Sequence, residues 1–548
     1  MIRDVSQLRS GKFDVVVIGG GIYGSWIAYH AAMAGLKVAL VEKSDWGSAT
    51  SSASSKLLHG GLRYLERYEV SLVRKSLHER RELSRLFPHL VRPLRFLLPV
   101  YRDSRVGMLR LKAGLWLYDR LAGPHQPVDK HVSFSAAQLV ECESALKPDR
   151  LVGGFSYGDC GTDDARMVLE VVDSAMQAGV AACHYVAATD LLKPADRVTG
   201  VRLCDVETNE TFDVNCSMVI NAAGPWVFQQ FGLGEKFTDN ASVEPTAGPT
   251  IGDRVRLTKG VHLVMPELNS DHAVLLTAKA DGRVFFLIPW YGRTLLGTTD
   301  TDYHGDPAMV RVEQSDITYL LNAANDYLQT SWTADDIYGA YVGLRTLQNE
   351  IEKTASGVSR EWAFEETLPG LLTSVGGKYT SARVDAAEAV GKILDMMRQT
   401  SATASVPENM AWYPGNSFSD WKQRQCQLAV DAGIDQETAM NGANRFGSRF
   451  KQIVELVKAR PDLANRIVAD LPFCRAEIVF SVTDEMARSL MDILRRRIPL
   501  MLLTRLNRPT LEDVCDLVEE YFEWDAAERE RQIVSVLEMS GRWLQHQN

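Results

Sequence analysis

A glycine run near the N-terminus constrains this chain more than any other feature. Residues 14–18, DVVVI, form a short β-branched run of the kind buried in parallel sheets. Gly19-Gly20-Gly21-Ile22-Tyr23-Gly24 follows at once, and a helical stretch runs from Ile22 to about Ala34. Gly35 ends that stretch, and KVALVE at 37–42 reads as a second strand. Gly19, Gly21 and Gly24 make a GxGxxG pattern, and Glu42 closes the second strand 18 residues beyond Gly24. Alone the pattern is weak; between a strand and a helix, with that acid, it predicts a dinucleotide site. Gly19 permits the tight turn, Gly21 lets backbone approach a pyrophosphate at the positive helix end, and Gly24 lets helix and strand pack closely. The Glu42 carboxylate suits adenosine ribose hydroxyls and would repel a 2′-phosphate.

The fingerprint does not separate NAD from FAD. Small-residue and glycine turns recur far apart, at 47–61, 221–226 and 376–380, as one extended cofactor touched by several segments would require. A length of 548 residues allows about three to five domains, or one large enzyme with appendages. Lys plus Arg is 60 and Asp plus Glu is 70, a net charge of −10, so no nucleic-acid partner is expected and an anionic ligand needs local cations. The 8 cysteines form no CxxC pair and suit neither zinc nor a disulfide framework, so no metal is expected and the thiols read as free in a reducing cytosol. MIRDVSQLRS carries no apolar signal region, and no run of about 20 apolar residues predicts a transmembrane helix.

Further along, SMVINAAG (217–224) reads as a strand, VFFLIPW (284–290) and TLLGTTD (294–300) as paired strands, and 371–394 as strand, glycine turn and long helix. TSATASVPENMAWYPGNS (400–417) lacks hydrophobic periodicity and reads as linker. Residues 483–497 and 510–522 have helical apolar spacing, with Thr510 and Asp513 placed as a capping box.

At TSSASSKLLHGGLRYLE (50–66) a longer signature begins. It continues through FSYGDCGTDDARM (155–167), NAAGPW (221–226), LTKGVHLVMP (257–266), IPWYGRTLLGTTDTDYHGDP (288–307), GLRTL (343–347), SRE (359–361) and GGKYTSAR (376–383). This resembles the FAD-dependent, quinone-linked glycerol-3-phosphate dehydrogenases, within the flavoproteins that include D-amino-acid oxidase. The likeness spans about residues 12–395 and, more loosely, the helical tail. It implies an α/β fold: a Rossmann-like, doubly wound FAD-binding domain (12–90, 151–230 and 340–398), an antiparallel-sheet substrate domain (91–150 and 231–339), a linker (399–418) and a C-terminal helical domain (419–548).

The implied chemistry is oxidation of glycerol 3-phosphate to dihydroxyacetone phosphate, with hydride passing to flavin N5 and electrons to a quinone. The implied cofactor contacts are Gly19, Gly21, Ile22, Tyr23, Gly24, Glu42, Ser51, Ser52, Ser54, Ser55, Lys56, Gly60, Gly61, Ala222, Gly224, Trp226, Gly377, Lys378, Tyr379 and Thr380. Any one of the serines also reads as a helix cap. Backbone N–H groups after Gly377 suit the negative charge of reduced flavin. Arg63, Arg345 and Arg360 stand on family motif positions, and arginine's planar fork suits a phosphate; a structural ion pair is the competing reading of each. Tyr64 either hydrogen-bonds substrate or packs, and Lys259 is placed to orient it. Lys378 either supports the flavin or meets the substrate. His262 is the expected base with a pKa near 6–7, and Arg345 the alternative that polarises the alkoxide.

Thr346 stands where the family commonly has proline, and 348–359 matches poorly, which leaves another polyol phosphate open as substrate. An oxygen-using oxidase and a non-catalytic flavin sensor are the further alternatives. Residues 91–118 carry six cations against one acid, interleaved with Leu, Met and Trp116. That suits an anionic membrane surface, hence peripheral attachment at the cytoplasmic face of the inner membrane; a buried helix with outward-reaching cations is the competing reading. The oligomeric state is open, a homodimer included.

Overall fold

The computed structural model of the chain describes residues 1–229, 231, 255–348, 361–398, 407 and 409–541. The N-terminal β-α-β unit forms as the pattern predicts: strand Phe13–Ile18, helix Ile22–Met33, strand Val38–Glu42. Valines 15–17 are fully buried because both faces of this sheet are covered. Strand Phe13–Ile18 pairs in parallel with Val38–Glu42 on one side and Thr211–Asn221 on the other. Ala181–His184 and Leu371–Gly376 extend the parallel sheet outward, and Trp362–Leu368 adds an antiparallel edge. Helices Ile22–Met33, Asp164–Gln177 and Ala382–Met396 pack their apolar residues into one core with this sheet.

The second sheet has ten strands. Val255–Pro266 lies next to one edge of it, antiparallel to Arg293–Gly297 and to Gly339–Gln348. Val284–Trp290 and Arg293–Gly297 are the expected hairpin. Two strands expected in the cofactor half, Leu151–Gly161 and Gly339–Gln348, hydrogen-bond into this sheet instead. They carry the chain between the halves, so a boundary drawn from motifs cuts through them.

Helices from Phe418–Asp431 to Ala526–Gly541 make the C-terminal region. Residues 399–406 and 408 of the expected linker lie outside the described residues, but its end is anchored. Trp412 is fully buried, its backbone N–H donating to Glu170 and its indole to Asp173. The continuous helix expected at 483–497 is broken: Arg475–Thr483 ends, and a new turn starts at Ser489, whose hydroxyl accepts from Asp492 N–H. Helix Arg508–Val518 is capped by Asn507, which accepts from Thr510; Asp513 pairs with Arg475 at 2.5 Å, so the Thr510–Asp513 capping box is not formed. Fully buried Arg166 and Glu485, joined by two bonds of 2.7 Å, lock this region to the dinucleotide half.

Candidate functional site

One cleft of about 1810 Å3 runs from the glycine fingerprint to the antiparallel sheet. That exceeds the roughly 300–1,000 Å3 of most small-molecule pockets and suits an extended dinucleotide plus a small substrate. At the fingerprint, Gly19 has φ +107°, and a Cβ on Gly24 would stand 1.9 Å from Gly19 O. Gly21 caps helix Ile22–Met33 without a side chain, leaving backbone open to the cleft. Ser51 Oγ accepts from Ile22 N–H at 2.9 Å, placing a hydroxyl at the positive helix end. Glu42 lines the cleft and accepts from Gly20 and Ser44 N–H, while burial raises its carboxyl pKa. Ala222, Gly224 and Trp226 form the facing wall, with Lys43 Nζ 4.1 Å above the Trp226 ring.

The turn Gly376–Thr380 meets the fingerprint helix. Tyr23 Oη donates to Asp385 at 2.6 Å and accepts from Lys378 N–H at 3.0 Å. Gly377 has φ +91°, and a Cβ there would lie 1.8 Å from Tyr23 Oη. Tyr379 lines the cleft and donates to Asp164 O at 2.6 Å, and Thr380 borders it beside helix Ala382–Met396.

Beyond this turn, cations and a histidine converge. Lys378 Nζ lies 3.8 Å over the Tyr64 ring, and the Arg63 guanidinium carbon is 5.2 Å from the same ring. Tyr64 is buried and packed while still bordering the cleft. Arg345 is held by Asp300 at 3.1 Å and Thr298 Oγ1 at 3.0 Å, and lies where a side chain on Gly260 would stand.

On the neighbouring strand His262 stacks on Tyr341, with ring centroids 4.9 Å apart, and its Nε2 is 2.8 Å from Ser55 Oγ. Gly297 makes room for the ring, since a Cβ there would be 2.3 Å from His262 Cδ2. Burial, then the charges of Arg345 and Lys56, hold the His262 pKa well below 6.5. The expected base titrating near 6–7 is therefore corrected: the imidazole is neutral throughout that range.

Other expected residues stand elsewhere. Lys259 does not reach the cleft; its Nζ is held by Glu313 at 2.7 Å and Asp316 at 2.8 Å. Alternation along a strand sends residue 259 to the opposite face from residue 262. Lys56 is buried against Asp164 at 2.5 Å, turned away from Ser55 by a backbone φ of +58°. Ser54 borders the cleft but bonds Asp164, and Ser52 is buried behind it. Gly60 lies beneath the site, its N–H donating to Tyr118 Oη and Asp159, whereas Gly61 lines the cleft with φ +76°. Arg360 lies outside the described residues. Asp300, which positions Arg345, and Arg495, which reaches the cleft from the C-terminal region, were missed. Asp300 follows the glycine of a strand-end motif, but nothing in LRRR marks which arginine faces a ligand. A buried Asp45–His184–Asp492 group has metal-ligand residue types, but Arg496 and Arg497 already supply its positive charge.

A parallel-sheet glycine fingerprint, a cleft continuing under an antiparallel sheet, and backbone approaches at Gly21 and Gly377 define an FAD-dependent oxidoreductase. Residues 14–383 match the family described as FAD dependent oxidoreductase, and residues 411–529 match the C-terminal domain of alpha-glycerophosphate oxidase. The glycerol-3-phosphate dehydrogenase of Mycobacterium leprae is 35% identical over 96% of this chain and 87% of its own. That of Synechocystis is 33% identical over 97% of both chains. The FAD-complexed glycerol-3-phosphate dehydrogenase of Bacillus halodurans has 25% identity and a TM-score of 0.76, covering 98% of this chain and 97% of its own. The chain belongs to the FAD-dependent glycerol-3-phosphate dehydrogenase family.

Proposed function

We propose that this enzyme oxidises sn-glycerol 3-phosphate to dihydroxyacetone phosphate and passes the electrons to a quinone at an anionic membrane surface. The observation that carries the substrate reading is the convergence of Arg63, Lys378 and Arg345 with His262 in the cofactor cleft. Three cations suit a phosphate dianion, and arginine's fork adds directed hydrogen bonds. FAD, when bound, would accept the hydride from C2 and with it both electrons. The protein orients the substrate and takes the C2 hydroxyl proton. His262 Nδ1 is buried without a hydrogen-bond partner among the described residues, so exchange with the cleft runs through Nε2 and the Ser55 hydroxyl. Arg345 sits on the strand beside His262 and stabilises developing alkoxide charge. Bleaching of flavin absorbance without oxygen, screened over phosphorylated polyols, tests the assignment; no bleaching by glycerol 3-phosphate overturns it.

The match of residues 411–529 to an alpha-glycerophosphate oxidase domain favours a second reading, direct use of oxygen. Stoichiometric peroxide release during turnover would mark it. Support for the membrane reading is narrower than the basic segment promised. Arg92–Tyr101 is an interior strand of the second sheet, so the segment is not one surface unit. Helix Met108–Ala122 remains, with Leu109 86% and Trp116 60% exposed, and Arg105 and Arg110 on the cleft rim. No helix of the described residues is long and apolar enough to cross a membrane. This helix and a lipid-soluble acceptor support the reading of peripheral attachment at the cytoplasmic face of the inner membrane.

A further inference from the structure

Three consecutive arginines, Arg495, Arg496 and Arg497, sit in the C-terminal region where it meets the dinucleotide half. Two of them are neutralised. Arg496 pairs with Asp45 and with Asp492 at 2.6 Å, and Arg497 pairs with Asp45 and donates to Glu485 O at 2.6 Å. Arg495 differs. Among the described residues no carboxylate lies within ion-pair distance of it, and it is one of the residues lining the cofactor cleft. Its neighbours are the Ser52 carbonyl, 3.4 Å from Nη2, and the Tyr341 ring, 5.4 Å from the guanidinium carbon. The nearest acid of the cofactor loop, Asp164, is taken by Lys56 at 2.5 Å. Burial and the adjacent Arg496 lower the Arg495 pKa, and the more distant Asp164 and Asp163 only partly offset them.

A half-buried guanidinium that lines the cleft without an ion pair suits an anion there. Ser52 follows Ser51, whose hydroxyl meets the N-terminus of the fingerprint helix at Ile22. That is the place where the glycine turn presents backbone N–H groups to a pyrophosphate. We propose that Arg495 is a counter-ion of the FAD pyrophosphate, so that cofactor binding and seating of the C-terminal region on the cofactor domain reinforce each other. Such coupling is reciprocal: FAD tightens the seating of this region by the factor by which the seated region tightens FAD.

The test uses full-length protein stripped of FAD and titrated with FAD, followed by quenching of flavin fluorescence at low and high salt. Arg495→Met is expected to raise the FAD Kd at least about tenfold and to weaken its salt dependence. Arg495→Lys keeps the charge and is expected to recover most of the affinity. The rise in Tm on adding FAD should be smaller in Arg495→Met than in wild type. Arg293→Gln is the control: it loosens the same region through Leu503 O (3.1 Å) and Asp470 (2.6 Å), away from the cleft, and should leave the FAD Kd within about twofold. Wild-type affinity and salt dependence in Arg495→Met overturn the proposal. So does an equal loss in Arg293→Gln, which would make Arg495 only a tether to Ser52. If Arg495→Met does not fold, the same comparison is made with Arg495→Gln, which keeps a donor for the Ser52 carbonyl and loses the charge.

Discussion

Ser55 Oγ lies 2.8 Å from His262 Nε2, and this contact joins the cofactor loop to the substrate sheet across 207 residues of chain. It gives the imidazole its one polar partner at the cleft, while Tyr341 stacks on the ring and Gly297 leaves space for it. His262→Asn is expected to slow substrate-dependent flavin bleaching by roughly 10²–10⁴-fold, the range for loss of a general base. Ser55→Ala should slow it less. Single-turnover bleaching without oxygen measures both.

The pH profile follows from the sign of the His262 shift. Burial and two cations lower its pKa well below 6.5, so the ring stays neutral and basic as pH falls through 7 and 6. No acid limb from His262 is expected in that range. A wild-type limb with a midpoint near 6–7 that vanishes in His262→Asn would show that bound substrate restores the ordinary pKa.

Arg345→Lys keeps the charge but loses the fork held by Asp300 and Thr298. We expect kcat/KM to fall at least about tenfold, roughly 1.4 kcal/mol, with FAD retained. Steady-state assays with a soluble dye acceptor decide it; unchanged kinetics would remove Arg345 from the substrate site.

Lys259→Gln should separate stability from catalysis. It leaves buried Asp316 without its cation, at a cost of about 1–3 kcal/mol, because Asp316 is 4% exposed. Tm is expected to fall, with KM for glycerol 3-phosphate within about twofold. A large rise in KM would return Lys259 to the substrate.

His30 carries an acid-stability prediction. Burial, then Arg383, lowers its pKa to about 4, and both ring nitrogens are buried without partners among the described residues. The unfolded chain therefore binds a proton at higher pH than the folded one. The folded state is thus destabilised progressively as pH falls from about 6.5 toward 4, by up to about 3 kcal/mol at 1.36 kcal/mol per pH unit. His30→Phe should flatten that part of a denaturant-midpoint profile.

What the sequence determined by itself was local. The β-α-β unit, the glycine turn, Glu42, the hairpin at 284–297 and the strand-turn-helix at 371–396 are set by periodicity and by glycines whose φ or packing admits no side chain. Arg63, Tyr64, His262, Arg345 and Lys378 were legible as motif residues, and all five border one cleft. Tertiary structure decided which neighbours of those residues share the cleft. Lys259 lost its place to strand alternation, and Lys56 to a left-handed turn that aims it at Asp164. The depressed pKa of His262 comes from burial first, and then from Arg345 on the paired strand and Lys56 on the cofactor loop. Arg495 enters only because Asp45 neutralises its two neighbours from across the domain boundary. Charge, burial and facing direction are properties of packed surfaces, and a motif records residue types without recording what packs against them.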